Sequence, residues 1–338
     1  MMDLYELAAA AKLGGGFTPH ERSMLKALTE NPENHNGIYR GKDLSNIYTW
    51  DEIYARVHDG SFEDLYLGDY KTTHLVTDLY TRFTGAAFVA GTTYYEMGGT
   101  VIDRTWTETQ DSEPQEGKVY ATKSVVEEDV DYIIAGFDLF LHTGHTVPGD
   151  PNIHLVTYHH LVIIPKTGYK TSSKMHYNAT DLTGYANSDM NQITIPCYAE
   201  STKRALNNHL LPRVVRLSAV VNPDIPSSAG AGYMGAVTSA PGTWIYGALM
   251  SDIQVFGTTV LSSSFYEVGL DYERFPIFQF VTPVETFDAN FVRRTWLRTF
   301  VSLVNGAAYY ATYTSGGSAN STGSPDNNVN VRPYFLFG

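Results

Sequence analysis

Apolar positions keep a helical spacing in the opening part of this chain and give way to strand-like runs further on, and that change divides it. In the opening part they fall three and four residues apart. "MDLYELAAAAKLGGG" sets good helix formers ahead of a triple glycine, which predicts a helix ending at 14–16. "TPHERSMLKALTE" predicts a second helix. Thr18 caps it, Pro19 takes the first helical position, Glu21 closes a capping box, and Met24, Leu25 and Leu28 share a face until Pro32. "TWDEIYARVHDG" repeats the device with Thr49 and Glu52, places Ile53 and Val57 four apart, and stops at Asp59-Gly60. A short Ala-rich helix does not hold itself in water, so the first of the three must pack on its own domain or on a neighbouring chain.

From about residue 72 the pattern changes. "AAFVAGTTYYEMGGTVIDRTWTET" and "GKVYATKSVVEE" are rich in Val, Thr and Tyr and are broken by Gly-Gly and by an acidic turn, so they predict strands and hairpins. "DYIIAGFDLFLHTG" and "HHLVIIPKTG" predict two strong strands with a Pro/Gly-rich loop between them. Further on, "CYAESTKRALNNHLL" predicts a helix with Leu206, Leu210 and Leu211 on one side, ending at Pro212. "IPSSAGAGYMGAVTSAPG" reads as a loop of small residues, and "WIYGALMSDIQVFG" as helix turning into extended chain. "FPIFQFV", "TWLRTFVS", "AAYYATYT" and "VRPYFLF" predict four short strands. No internal repeat is evident, and the class expected is α+β.

Composition narrows the functions. Of 338 residues, 23 are basic and 36 acidic, a formal charge of −13, and no basic patch offers itself to a phosphate backbone. The small basic clusters, Arg293-Arg294 with Arg298 and Arg213 with Arg216, stand among apolar residues and read as structural. Cys197 is the single cysteine, so no intrachain disulfide forms. The acidic N-terminus lacks the basic front of a secretory signal, and no apolar run reaches the ~20 residues of a membrane span. The expectation is a soluble protein of a reducing cytoplasm.

Candidate chemistry is thin. His142 and His145 form H-x-x-H, and His154, His159 and His160 follow, but adjacent residues on the expected strand at 159–160 face opposite ways and would not converge on one metal. Glu127, Glu128, Asp129 and Asp131 read as a solvated acidic face. Cys197 beside Pro196 reads as a small buried apolar residue. No nucleophile elbow, phosphate loop, zinc-protease or calcium-loop pattern occurs, so no enzyme, cofactor or metal is expected.

The stretch 305–328, "NGAAYYATYTSGGSANSTGSPDNN", has no Lys, Arg or Glu and one acid, Asp326. Tyr, Ser, Gly and Asn are the vocabulary of contact loops, with stiff aromatic anchors among adaptable polar groups. The same composition also suits an ordinary surface hairpin with a long tip.

The residues around it carry a resemblance. "TWLRT" at 295–299 precedes the polar-aromatic stretch and "NVRPYFLFG" at 330–338 closes the chain. This arrangement resembles the C-terminal module, of C-type-lectin-like fold, in a phage and prophage family that includes phage tropism determinants and targets of diversity-generating retroelements. "GSFEDLYLGDY" at 60–70, "YIIAGFDLFLHTG" at 132–144, "TYHHLVIIPKTG" at 157–168, "WIYGALMSDIQVFG" and "YERFPIFQF" are similar to that family in the same order, over most of 37–338. Asn330 stands where the family often has glycine. About 60 residues, 71–130, separate segments that adjoin in those relatives. A related lectin-like group of formylglycine-generating enzymes uses a cysteine pair, which this chain lacks.

The resemblance implies three parts: a helical N-terminal arm at 1–36 for virion docking or oligomerisation, a lectin-like domain from 37–70 and 131–338, and a β-rich insert at 71–130. It implies a virion protein assembled in the host bacterial cytoplasm, with a binding head for a host-surface receptor or glycan. Its ligand-binding candidates are Tyr309, Tyr310, Tyr313, Ser315, Asn320, Ser324 and Asn327. The framework candidates are Trp296, Arg298 and Arg332, with Phe335 and Phe337 as core residues of a closing strand. The partners expected are capsid, collar or tail proteins, further copies of the chain, and no nucleic acid. Two alternatives stand beside this: a head decoration, head fibre, collar or tail-joining component without receptor binding, and a glycan-acting enzyme built on a carboxylate pair.

Overall fold

A computed structural model of the chain describes residues 35–177, 184–221, 237–239, 242–257, 274–280, 295–304, 307–313, 321–323 and 329–338. The helices expected within residues 1–34 and most of the loop at 225–242 lie outside these residues. What is described is a mixed α+β protein organised on a large antiparallel sheet.

The elements run in chain order as α1 (Trp50–His58), β1 (Tyr70–Arg82), β2 (Tyr95–Thr100), β3 (Asp103–Glu108), β4 (Tyr120–Phe137), β5 (Gly144–Val147), β6 (Asp150–Leu155) and β7 (Leu161–Pro165). A 3-10 turn (Tyr185–Asn187) and a π turn (Met190–Thr194) lead into α2 (Ile195–Ala205). Then come β8 (Leu210–Leu211), β9 (Arg213–Val215), β10 (Ser218–Val221), β11 (Val237–Ser239), β12 (Thr243–Ile245) and β13 (Gly247–Leu249). The rest are α3 (Asp252–Phe256), α4 (Ile277–Phe280), β14 (Thr295–Val304), β15 (Ala307–Tyr313), β16 (Ser321–Gly323) and β17 (Pro333–Phe337).

Eight strands form the main sheet in the order β13-β17-β7-β4-β2-β3, with β1 also on β4 and β8 also on β17. β4 joins its two halves. Its first part pairs with β1 from Tyr70↔Ile133 to Arg82↔Ala121, and its last part pairs with β7. In the first part buried and exposed positions largely alternate, because one face meets water, whereas Tyr132–Phe137 are nearly all buried. The expected division at residue 130 therefore falls inside one unbroken strand. α2 packs on β1, on β4 and on the segment after β7: Thr77 donates to Ser201 (2.8 Å), Tyr132 and Thr202 share a hydroxyl contact (2.7 Å), and Tyr169 stacks on Tyr198 at 3.7 Å.

α1 forms as its sequence predicts. The Thr49 hydroxyl accepts from Glu52 N and the Glu52 carboxylate accepts from Thr49 N (2.7 Å), so two otherwise unpaired helix donors are satisfied. Ile53 and Val57 are buried, and Trp50 meets Phe337 of β17 at 5.1 Å. The "GDY" stretch has a physical role as well. Gly68 has φ +79, and a Cβ there would lie 2.1 Å from the Tyr39 ring. Asp69, fully buried, accepts from Arg40 Nε (2.9 Å), Arg40 Nη2 (2.5 Å), Lys42 N (2.9 Å) and Tyr66 N (3.0 Å). A buried carboxylate persists only when paired and hydrogen-bonded in this way.

Several expected elements differ. The helix expected over 197–211 ends at Ala205, because Asn207 and Asn208 adopt left-handed φ values of +53 and +67, and Leu210–Leu211 pair with β17 instead. "WIYGALMSDIQVFG" runs in the reverse order, strands β12 and β13 first and helix α3 second. Ser251 caps α3, Gln254 closes its box (Oε1 to Ser251 N, 2.9 Å), and Gly257 ends it at φ +79. The strand expected in "FPIFQFV" is the single helical turn α4, which Pro276 opens.

Candidate functional site

The two sequence segments that frame the polar-aromatic stretch lie side by side. Trp296 N donates to Asn330 O (3.0 Å), and Thr295 and Asn330 form a parallel bridge. Trp296 is fully buried and its Nε1 donates to Ser173 O (2.9 Å), while Ser173 and Val329 exchange both main-chain hydrogen bonds. Arg298 is buried, and its backbone N donates to Met250 O (3.0 Å) just before α3. Arg332 is sealed in the interior. Its Nε donates to Pro165 O (2.6 Å) and its guanidinium lies 5.9 Å from the Phe278 ring centre.

Asn330 uses its side chain, donating from Nδ2 to Thr167 O (3.0 Å). That approach depends on Gly168, where φ is +77 and a Cβ would lie 2.6 Å from the same nitrogen. Beyond Arg332 the chain enters β17, which pairs with β13 and β8 on one side and β7 on the other. Phe335 and Phe337 are buried as expected. Tyr334, on the other face of the strand, is buried too, because that face is also covered: Arg213 Nη2 donates to its hydroxyl (2.5 Å) and Phe275 packs against its ring at 5.3 Å.

Between the clamped ends, β14, β15 and β16 form a separate three-stranded antiparallel sheet. β15, which carries Tyr309, Tyr310 and Tyr313, is its middle strand, with Thr295↔Tyr313 and Phe300↔Tyr310 on one side and Tyr310↔Gly323 on the other. Tyr309 and Tyr313 occupy positions of one parity on β15 and Tyr310 the other. Ser315, Asn320, Ser324 and Asn327 lie outside the described residues.

The histidine expectation needs correcting. His159 and His160 precede β7 rather than lying on it, and both address one carboxylate. Asp138, held at φ +51, lies 2.7 Å from His159 Nδ1 through Oδ2, and its Oδ1 accepts from His160 N (2.7 Å). His160 is fully buried, with its Nε2 accepting from Phe140 N (3.2 Å), so its Nδ1 carries the hydrogen and faces Tyr158 O (3.1 Å). Burial pushes this imidazole down to about 4. The cluster is a structural fixture. Among the described residues no group of three His, Cys, Asp or Glu side chains could hold a metal ion.

The acidic run is not uniformly solvated either. Glu128 alternates inward with Val126 and Val130, is 3% exposed, and accepts from Lys170 N (2.8 Å), and burial raises its carboxyl above the usual range. Cys197 is buried, and burial pushes its thiol up to about 12, leaving it protonated and unreactive.

Sequence reasoning missed one cluster entirely. Arg82, Lys174, Tyr177 and Asp189 border a cavity of about 340 Å³ whose other walls include several serine and threonine residues. Arg82 Nε donates to Asp189 Oδ1 (2.7 Å), and its guanidinium lies 4.9 Å from the Tyr177 ring centre. These residues are too far apart in sequence for any local signal to join them.

No family model matches the chain, and neither a curated protein nor a solved structure matches it. No helix among the described residues is long and apolar enough to cross a membrane, which leaves strand-built spans unaddressed.

Proposed function

We propose that this chain is a phage virion protein whose C-terminal part is a C-type-lectin-like head, and that the head binds a host-surface receptor or glycan through 305–328. One observation carries the reading. The chain enters this region at Trp296 and leaves it at Asn330, and those two points are hydrogen-bonded to each other (3.0 Å) on a base that buries Trp296, Arg298 and Arg332. A rigid two-point mount lowers the ordering cost of the polar-aromatic segment it carries, which is how contact loops on stable scaffolds gain affinity. The composition of the segment and the order of the flanking segments support the same reading. A homo-oligomer in the virion would multiply weak individual contacts.

The test is the triple variant Tyr309→Ala, Tyr310→Ala, Tyr313→Ala, purified and added to host cells. Cell binding is expected to fall by more than tenfold with the denaturation midpoint nearly unchanged, since loss of interface tyrosines costs about 2 kcal/mol or more where they are hot spots. Undiminished cell binding by the folded variant would end this reading.

A further inference from the structure

We propose that the cavity beside Arg82 is a second binding site, separate from 305–328, and that it takes an acidic sugar: a polyhydroxylated ring carrying a carboxylate. At about 340 Å³ it falls at the lower end of the roughly 300–1,000 Å³ of small-molecule clefts, a size suited to a single sugar unit.

The walls specify the chemistry. Ser124, Thr171 and Thr194 are among the hydroxyl residues that line it, and a hydroxyl can both donate and accept, as a sugar's own hydroxyls require. Tyr177, 42% exposed, adds an apolar ring with a polar tip against which the C–H face of a sugar can lie. The charges select the anion. Two cations, Arg82 and Lys174, face the cavity against one carboxylate, Asp189, in a molecule whose formal charge is −13.

Asp189 orients Arg82 by taking its Nε hydrogen (2.7 Å), and among the described residues the terminal nitrogens of Arg82 make no hydrogen bond. A planar guanidinium held by one edge presents the other to a ligand carboxylate. A neutral sugar would leave those donors without an ionic partner, and a bare carboxylate would leave the hydroxyl walls unused. The ion pair is only partly exposed, with side-chain exposures of 24% and 13%, so water screens it less than a surface pair. Ser173 lines the same cavity and its carbonyl holds Trp296, so the pocket wall and the mount of β14 are one piece of structure.

The experiment is titration of the full chain by calorimetry and saturation-transfer NMR with D-glucuronate, with D-glucose and acetate as matched controls. Glucuronate is expected to bind about tenfold or more tightly than either control, as one charge-assisted contact plus the hydroxyl set requires. Lys174→Gln, at an exposed position where folding is not at risk, and Arg82→Gln should each weaken glucuronate about three- to tenfold. The triple tyrosine variant should leave glucuronate binding unchanged. Glucuronate binding no tighter than acetate or glucose would overturn the proposal, as would glucuronate binding indifferent to both charge variants. Loss of glucuronate binding in the triple tyrosine variant would also overturn it, by moving the sugar site to 305–328, while leaving the head reading intact.

Discussion

Arg332 and Arg82 are the same residue in the same kind of contact. Each donates Nε to one oxygen, Pro165 O at 2.6 Å and Asp189 Oδ1 at 2.7 Å, and each lies against an aromatic ring, Phe278 at 5.9 Å and Tyr177 at 4.9 Å. They differ in what surrounds them. Arg332 is 0% exposed beside the last strand of the sheet, whereas the Arg82 side chain is 24% exposed at the rim of a cavity. A sealed guanidinium has its donors committed to the fold and cannot recognise anything new. An open one, fixed by one edge, has donors left for a ligand. Residue type and local geometry therefore do not separate the frame from the proposed site in this protein, but access does.

The strongest way to break the comparison is to remove the sealed region. Deleting 331–338 takes away β17, which β7, β8 and β13 all pair with, and strips the buried faces of Trp50 and Phe140. Burying Tyr334, Phe335, Leu336 and Phe337 is worth roughly 1.5–3 kcal/mol for each side chain, which together rivals the 5–15 kcal/mol stability of a whole domain. The truncated chain is expected to lose its cooperative unfolding transition by circular dichroism. An unchanged melting curve would show that the sheet closes without its last strand.

Next in size is the direct contrast. Arg332→Met should cost about 3 kcal/mol, because a charged hydrogen bond is lost and Pro165 O is left buried without its donor. Arg82→Gln should cost under about 1 kcal/mol, as partly exposed ion pairs generally do. Urea denaturation of both variants measures the gap. Equal costs would mean that Arg82 is as much a part of the frame as Arg332.

The sealed region was also the legible one. α1 followed from Thr49 and Glu52, and the closing strand from the apolar run Tyr334–Phe337 that follows Pro333. The mount could be anticipated because "TWLR" and "NVRP" are local patterns, although the bond between them spans from residue 296 to residue 330. Errors arose where two periods were both short. "WIYGALM" contains good helix formers, yet Trp244 pairs with Val214 and Ala248 with Tyr334, so tertiary pairing overrode propensity. The Ser251–Gln254 box was readable in "SDIQ" and marked the helix that was expected earlier in the segment. Glu128 was readable too, since Val126, Val130 and Tyr132 alternate with it on β4. The cavity was not readable. Arg82 closes one strand, Asp189 precedes a π turn, and only the packing of α2 on β1 brings the two together.

His159 and His160 sharpen the comparison at its smallest scale, because the sealed and the open version are consecutive residues on one carboxylate. His159 keeps 39% of its side chain in solvent and His160 none. Burial, helped by the nearby Arg213 charge and opposed by Tyr158 O and Asp138, holds the His160 imidazole at about 4, below the ordinary 6.5. Unfolded chain therefore takes up a proton near 6.5 that the folded protein refuses until about 4. Stability from this group is complete above pH 6.5 and is lost as pH falls through that window, by about 2 kcal/mol between pH 8 and pH 5. Glu128 works in the opposite direction. Its carboxyl is raised by burial, so acidification through the range above its ordinary value favours the fold. Buried His35, also lowered by burial, adds to the His160 loss, and buried Asp69, raised by burial, adds to the Glu128 side, so the His160 part is read by comparison with His160→Gln. That variant should be less stable at pH 8, having lost a neutral ring that accepts from Phe140 N and faces Tyr158 O, but should lose about 2 kcal/mol less on going to pH 5. Urea midpoints at the two pH values measure it, and parallel slopes in variant and wild type would assign the acid sensitivity to a group other than the sealed imidazole.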